Sequence, residues 1–495
     1  MKVAIVGTGF AGFGAMAALV SEQNVDIEVF DIGLIAKLPD QLNKTVPNAK
    51  THLGSYFTYG VNDNRWSVGL NSRRICSSHA LGGHSTVYSG AILYPKDQDL
   101  AEWPEESRPS AHDYGAVLSH FDVLCADDEL KHEFPVAPTD EALQTKYSGQ
   151  CMALLGLSRI ALAKNFEGHS PNAKIFCTAA YFNELVQQGR IAYRSPVYVT
   201  RVEKIGDKAR LLLENHERLQ EWSDEFDAVF LAAGCINTTG IVDRSLFGVG
   251  TREYQIKSPV GLITAFCRLG FSLEEGQRMR RQANLPEFFL ESNSSSTSDT
   301  WTHTQITAIN EQIITAISSK IPFFKGVFAD LFRNAIYFAL TTAHSRFGKP
   351  TSLKASTTQS HGGILEYSIC VNELNQSSDI PQIRSALFQA VRKHWRRLRM
   401  VPIPFGSQIA DFFRGNKLGG WHFGGTLPMH QSPKIAQCHP SGEVAGLEGV
   451  YVVDSSAFPE ISGSTVALLI SANSHRVARQ WRMKTQQKDK EIQCQ

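Results

Sequence analysis

The residues best suited to chemistry stand near the C-terminus. His422 lies in Trp421-His422-Phe423-Gly424-Gly425-Thr426, an imidazole held among glycines. Further on, Val450-Tyr451-Val452-Val453 stops at Asp454, and Ser462-Gly463-Ser464-Thr465 enters an Ala/Leu/Ile/Ser run without proline. An imidazole can take the proton of a hydroxyl as a second bond breaks. A helix start presents free N–H groups and partial positive charge to a ligand that gathers electrons. On its own, His422 reads equally well as a hydrogen-bonded loop histidine.

The short β-branched run before Asp454 reads as a buried strand, and the Ser/Thr cluster as a helix N-terminus. A second unit of this kind opens the chain. Val3-Ala4-Ile5-Val6 is a strand, Gly7-Thr8-Gly9-Phe10-Ala11-Gly12 a turn into an Ala-rich helix, and Ile27-Glu28-Val29-Phe30 a strand ending at Asp31. This is the β-α-β pattern that binds dinucleotides. Gly7 permits the turn, Gly9 lets backbone approach a pyrophosphate, Gly12 lets helix and strand pack closely, and Asp31 is spaced for a ribose hydroxyl.

Two further segments place small residues where backbone would meet a flat ligand. One is Ala80-Leu81-Gly82-Gly83-His84-Ser85-Thr86-Val87-Tyr88-Ser89-Gly90. The other is the strand Phe226 to Leu231 ending in Ala232-Ala233-Gly234-Cys235-Ile236. Segments so far apart converging on one extended molecule suit FAD better than NAD.

Composition bounds the rest. At 495 residues, 42% hydrophobic and 20% charged, the chain has the makings of several globular domains with ample core. A net charge of +1 gives no global reason to expect nucleic acid. Nine cysteines without a C-x-x-C pair suggest free thiols in a reducing compartment, neither a disulfide framework nor a zinc site. Met1-Lys2-Val3-Ala4 opens directly into a strand, which leaves no room for a signal peptide, and no uncharged apolar stretch reaches membrane-spanning length. The expected location is cytoplasmic.

Taken together, the four segments resemble the glucose–methanol–choline (GMC) oxidoreductases, FAD enzymes that oxidise alcohols. The resemblance covers roughly 1–125, 190–250 and 415–480. It implies an α/β fold, with an FAD-binding Rossmann-like domain on a parallel sheet and a substrate domain with an antiparallel sheet and helices. The implied FAD-binding domain comprises 1–125, 190–254 and 415–482. The substrate domain comprises 126–189 and 255–414, and 483–495 is a polar tail.

Residue by residue, it implies Gly7, Gly9 and Gly12 around the pyrophosphate and Asp31 on the adenosine ribose. Gly82, Gly83 and Ser85 lie along the flavin side, Val202 near the adenine, and Ala233 and Gly234 against the cofactor. Asp454 meets the ribityl–pyrophosphate region, the Thr465-Val466 backbone meets the pyrimidine end, and His422 is the catalytic base. Two departures matter. Thr465 stands where relatives carry a second His or Asn, and its hydroxyl cannot share positive charge. Val87 stands where some relatives bind FAD covalently through histidine, so the expected FAD is non-covalent.

The expected substrate is a sugar, polyol or lipid-like alcohol, with oxygen, a quinone or a redox protein as electron acceptor. A flavin-retaining lyase or isomerase without net redox change is the rival reading, and a silent flavoprotein scaffold a third. Residues 51–71 read as a hairpin, Trp103-Pro104 and Asp127-Asp128-Glu129 as surface connections, and Ser292 to Ser298 as a polar loop. Ile321 to Thr342 reads as a Phe-rich helix, either a core helix, the wall of an apolar access channel, or a helix lying on a membrane. The basic run Arg392 to Arg399 is then either a solvated helix end or a lipid contact. Gly362 to Val371 reads as a strand.

Overall fold

A strand buried on both faces must be apolar throughout, and Val3, Ala4, Ile5 and Val6 are all buried in the computed structural model. The structure describes residues 1–22, 24–33, 78–86, 88–124, 151–162, 175–215, 217–268, 286–294, 301–308, 336–348, 351–359, 365–372, 392, 400–403 and 422–493. The chain begins with β1 (Lys2–Val6), α1 (Phe10–Leu19) and β2 (Asp26–Phe30). It continues with α2 (Ala111–Leu118), β3 (Cys151–Leu157), α3 (Thr178–Gln187), β4 (Ala192–Arg194), β5 (Ala228–Leu231) and α4 (Cys235–Phe247). The middle supplies β6 (Val260–Arg268), β7 (Phe288–Ser294), β8 (Trp301–Ala308), β9 (Ile336–Ala343) and β10 (Met400–Pro402). Last come β11 (Glu443–Val444), β12 (Leu447–Val452) and α5 (Ala467–Gln493).

One sheet runs β11-β12-β5-β1-β2-β4. All its pairings are parallel except β11 with β12. Its two faces bury different cores. Val3, Ile5, Ala228, Phe230 and Tyr451 face α1 and α5, while Ala4, Val6, Val229, Leu231 and Val452 face the opposite side. A second sheet, β10-β6-β9-β8-β7-β3, is antiparallel throughout. The mixed α/β architecture, parallel sheet plus antiparallel sheet, is the expected one.

Contact between α1 and α5 depends on Gly14, where a Cβ would fall 2.1 Å from the Ser471 carbonyl oxygen. A polar clamp fixes the far side of α5. Asp113 on α2 accepts from His475 Nδ1 at 2.9 Å, Arg479 Nε at 3.0 Å and the Ser110 backbone N–H at 2.9 Å. Burial opposes its charge, but the bonds from His475, Arg479 and Ser110 outweigh burial and hold the carboxyl below its ordinary range. A group with a lowered folded pKa stabilises above its unfolded value and loses that contribution as pH falls. Asp113→Ala should therefore cost about 3–5 kcal/mol at neutral pH, as for a broken buried pair. Urea unfolding should show this deficit shrinking as pH drops below about 4.

Several expectations need correction. Residues 336–343 of the Phe-rich stretch are strand β9, bonded to β6 and β8, with burial alternating along it. Residues 321–335 of that stretch lie outside the described residues. So do 51–71, Val87, Asp127-Asp128-Glu129, Gly362-Gly363, Trp421 and, except for Arg392, the basic run. Ser292 to Ser294 belong to β7 because that strand pairs on both edges. Trp103 is buried, its ring 4.6 Å from that of Phe458, and is no surface connection. The expected polar tail continues α5 to Gln493. The strand Leu365–Asn372 forms where alternation placed one. Among the described residues, no helix is long and apolar enough to cross a membrane.

Candidate active site

The site is a long cleft along the C-terminal ends of β1, β2, β5 and β12, with a cavity volume of about 230 Å³. The turn after β1 builds one wall. Gly7 has φ +108°, and a Cβ there would lie 2.4 Å from the Ala232 carbonyl oxygen. A Cβ on Gly12 would lie 2.0 Å from the Gly7 oxygen, so Gly12 serves the packing of α1 on its own turn. Gly9 caps α1 without a side chain and meets nothing within 4 Å, so the free N–H groups of the helix start open onto the cleft. Gly83 faces it, its would-be Cβ 3.3 Å from Gly9 Cα.

Thr8 carries a role that spacing does not reveal. Its hydroxyl donates to Asp31 and accepts from the Gly82 N–H at 2.8 Å, joining the β1 turn, the end of β2 and the Gly82 turn. Asp31 lines the cleft. Burial pushes its carboxyl up to about 6, against bonds from Thr8 and from the backbone N–H groups of Gly33, Ile32 and Thr8. Ser85 turns away from the cleft, donating to the Gly82 oxygen at 2.6 Å and meeting Thr178 Oγ1 at 2.8 Å. It braces the turn against α3.

Asp454 sits just beyond β12, buried and on the cleft wall. Its carboxylate accepts the Gly234 N–H at 2.9 Å, the Ser456 N–H at 2.9 Å, and the hydroxyls of Thr238 and Ser456. Burial raises its pKa despite those bonds. Asp454 thus holds the start of α4 in place, and Gly234 caps that helix at φ +81° with nothing within 4 Å. A second uncapped helix start therefore borders the same cleft. Ala233 and Val466 also line it.

His422 lines the same cleft, as do Phe423 and His84. Burial, with the neighbouring His303 and His84, depresses its pKa to about 4. The ring is therefore neutral at neutral pH and able to accept a proton. His84 is likewise lowered to about 4 by burial.

The structure thus gathers Gly7, Gly9, Asp31, Gly83, Ala233, Gly234, His422, Asp454 and Val466 on one cleft. Gly12, Gly82, Ser85, Val202 and Thr465 stand behind its walls. Val202 is packed in the core, its N–H bonded to Ser245 Oγ at 2.8 Å, while its neighbours Val199, Thr200 and Arg201 face the cleft. Thr465 is buried. The glycine openings, two uncapped helix starts and an acid at the end of β2 fit an extended dinucleotide.

Residues 372–474 match the family model described as GMC oxidoreductase. No curated protein matches the chain. Among solved structures, the pyridoxine 4-oxidase from Mesorbium loti superposes with a TM-score of 0.60 at 14% identity, covering 97% of this chain and 99% of that one. An FAD-dependent oxidoreductase from Chaetomium thermophilum, in complex with a butanamide fragment, gives 0.57 at 14% identity over 98% and 99%. These two likenesses speak to the fold.

Proposed function

We propose that this chain, of GMC oxidoreductase type in its C-terminal part, is an FAD-dependent enzyme that oxidises an alcohol with His422 as general base. One observation carries the reading: a single cleft is lined by Asp31, by the starts of α1 and α4, and by the half-buried imidazole of His422, kept neutral by its surroundings. When bound, FAD supplies an acceptor for the hydride of the substrate C–H. Gly7 and Gly9 bring the start of α1 to the pyrophosphate, and Asp31 accepts from the adenosine ribose. Asp454 acts by fixing Gly234, and the start of α5 near Val466, on the cleft wall, would favour the electron-rich form of the reduced ring. His422 takes the hydroxyl proton. The flavin is held without a covalent bond.

In this division of labour, 1–125, 190–254 and 415–482 hold the cofactor, and 126–189 and 255–414 shape the substrate space. The substrate is a sugar, polyol or lipid-like alcohol, and oxygen, a quinone or a redox protein takes the electrons. Anaerobic mixing with sugars, aliphatic alcohols, sterols and pyridoxine tests the reaction class. An alcohol of the panel should bleach the flavin and leave a carbonyl product. Turnover with the flavin remaining oxidised would instead establish the lyase or isomerase reading.

A further inference from the structure

One row of side chains on the antiparallel sheet faces the cofactor-binding part and remains unused. Register places Glu291 of β7 opposite His303 of β8, and His303 opposite Thr342 of β9. Phe289, on the same face as Glu291, packs on Ala91 and Leu93, and its ring stands edge-on to His303 at 4.9 Å. Both side chains of the pair are 2% exposed, and His303 Nδ1 is in direct contact with a Glu291 carboxylate oxygen.

The row ends at the loop before α5. Thr342 donates to the Gly463 oxygen, and a Cβ on Gly463 would fall 2.9 Å from the His344 N–H. Around this junction His303 Nε2, Ser464 Oγ and Thr465 Oγ1 are buried without a partner among the described residues. Leaving such atoms bare costs about 1–3 kcal/mol each, so native proteins keep them for a ligand, a water or chemistry. His422 lies within electrostatic reach of His303.

We propose that His303, oriented by Glu291, contacts the substrate oxygen as a second base alongside His422. The inference rests on the alcohol-oxidising reading above. An ionised carboxylate can only accept, so the ring nitrogen facing Glu291 carries the hydrogen and Nε2 presents a lone pair. Oxidation removes one hydride from carbon, delivered to the flavin, and one proton from oxygen, delivered to an imidazole of the pair, leaving a carbonyl. The Glu291 charge stabilises the imidazolium formed when His303 takes that proton, the arrangement by which a buried carboxylate supports a catalytic histidine elsewhere. Thr465 then need not act as the second base.

Two measurements on the flavin-loaded protein decide the matter. In ¹⁵N-histidine-labelled protein, the His303 ring is identified by its loss in His303→Gln. It should show Nδ1 protonated and Nε2 bare, with Nε2 shifting on addition of dilute trifluoroethanol, an alcohol too electron-poor to surrender hydride readily. A protonated Nε2, or no shift at saturating probe, overturns the proposal whether or not any alcohol reduces the flavin. In anaerobic reduction by the best alcohol of the panel, His303→Leu should lower the limiting rate by about 10²–10⁴-fold. Glu291→Gln should lower it by about tenfold or more with little change in KM, both variants retaining flavin, since a lost imidazolium counter-charge acts on the reacting state. Limiting rates within about twofold of the parent, with flavin retained, also overturn it. Absence of reduction by every alcohol in the parent protein sinks the alcohol-oxidising reading separately.

Discussion

His422→Ala retains its flavin and fold but is reduced about two to four orders of magnitude more slowly than the parent, the usual loss when a positioned base is removed. The ring lies on the cleft wall. It is not among the groups that brace the glycine turns, so its removal leaves the cofactor cradle standing. Its depressed pKa, about 4, keeps the lone pair free throughout the neutral range. A weak base of this kind gains less from accepting a proton in the ground state, so its value lies in accepting one as hydride leaves. The rate of the reductive step should therefore stay flat from about pH 6 to 8 with respect to His422 and decline only as pH approaches about 4. Anaerobic stopped-flow reduction of both proteins measures the effect. A variant reduced as fast as the parent removes His422 from the chemistry.

Gly7→Ala yields a chain that is isolated without flavin. At φ +108° an L-residue is strained, by about 1–3 kcal/mol for such conformations. Its Cβ would also press into the Ala232 carbonyl at 2.4 Å, backbone that cannot swing aside as a side-chain tip can. The Gly7 N–H bonds the Phe30 oxygen at 2.8 Å, and the Ala232 N–H bonds the Val6 oxygen at 2.8 Å. Displacing this turn therefore disturbs the C-terminal ends of β1, β2 and β5 together, where the dinucleotide must lie. Gly9→Ala provides the contrast. Nothing stands within 4 Å of its Cβ position, so the protein folds normally and only the approach of the pyrophosphate is hindered. Flavin absorbance after gel filtration, read with circular dichroism, separates the two: Gly7→Ala loses cofactor and stability, Gly9→Ala mainly cofactor.

The parallel-sheet unit was readable because its determinants are local. Gly7, Gly9, Gly12 and Asp31 fall at set distances along one stretch, and the strands beside them are apolar on both faces. The end of α5 was less so, since its polar residues resemble a tail until the helix is seen to continue. β9 was misread for a physical reason. Phe, Ala and Ile recur through 321–342 at intervals that satisfy a helical period, and the residues of β9 show no apolar–polar alternation in sequence although their burial alternates in the strand. The two neighbouring strands decide between the periods, and both lie well outside the stretch in which the pattern is read. Thr8 and the Glu291–His303 pair were hidden for the same reason. The first acts through the Gly82 turn, distant along the chain, and the second exists only in the register of β7 against β8.

The most direct test is a crystal structure of the chain with FAD bound. The adenosine ribose should lie at Asp31, the pyrophosphate between Gly9 and Gly83, and the reactive edge of the isoalloxazine should face the His422 imidazole. Between ring and imidazole there should be room for a substrate oxygen at hydrogen-bond distance, about 3 Å. An isoalloxazine bound at the Asp31 end, or a His422 ring turned away from the flavin edge, would contradict the proposed chemistry.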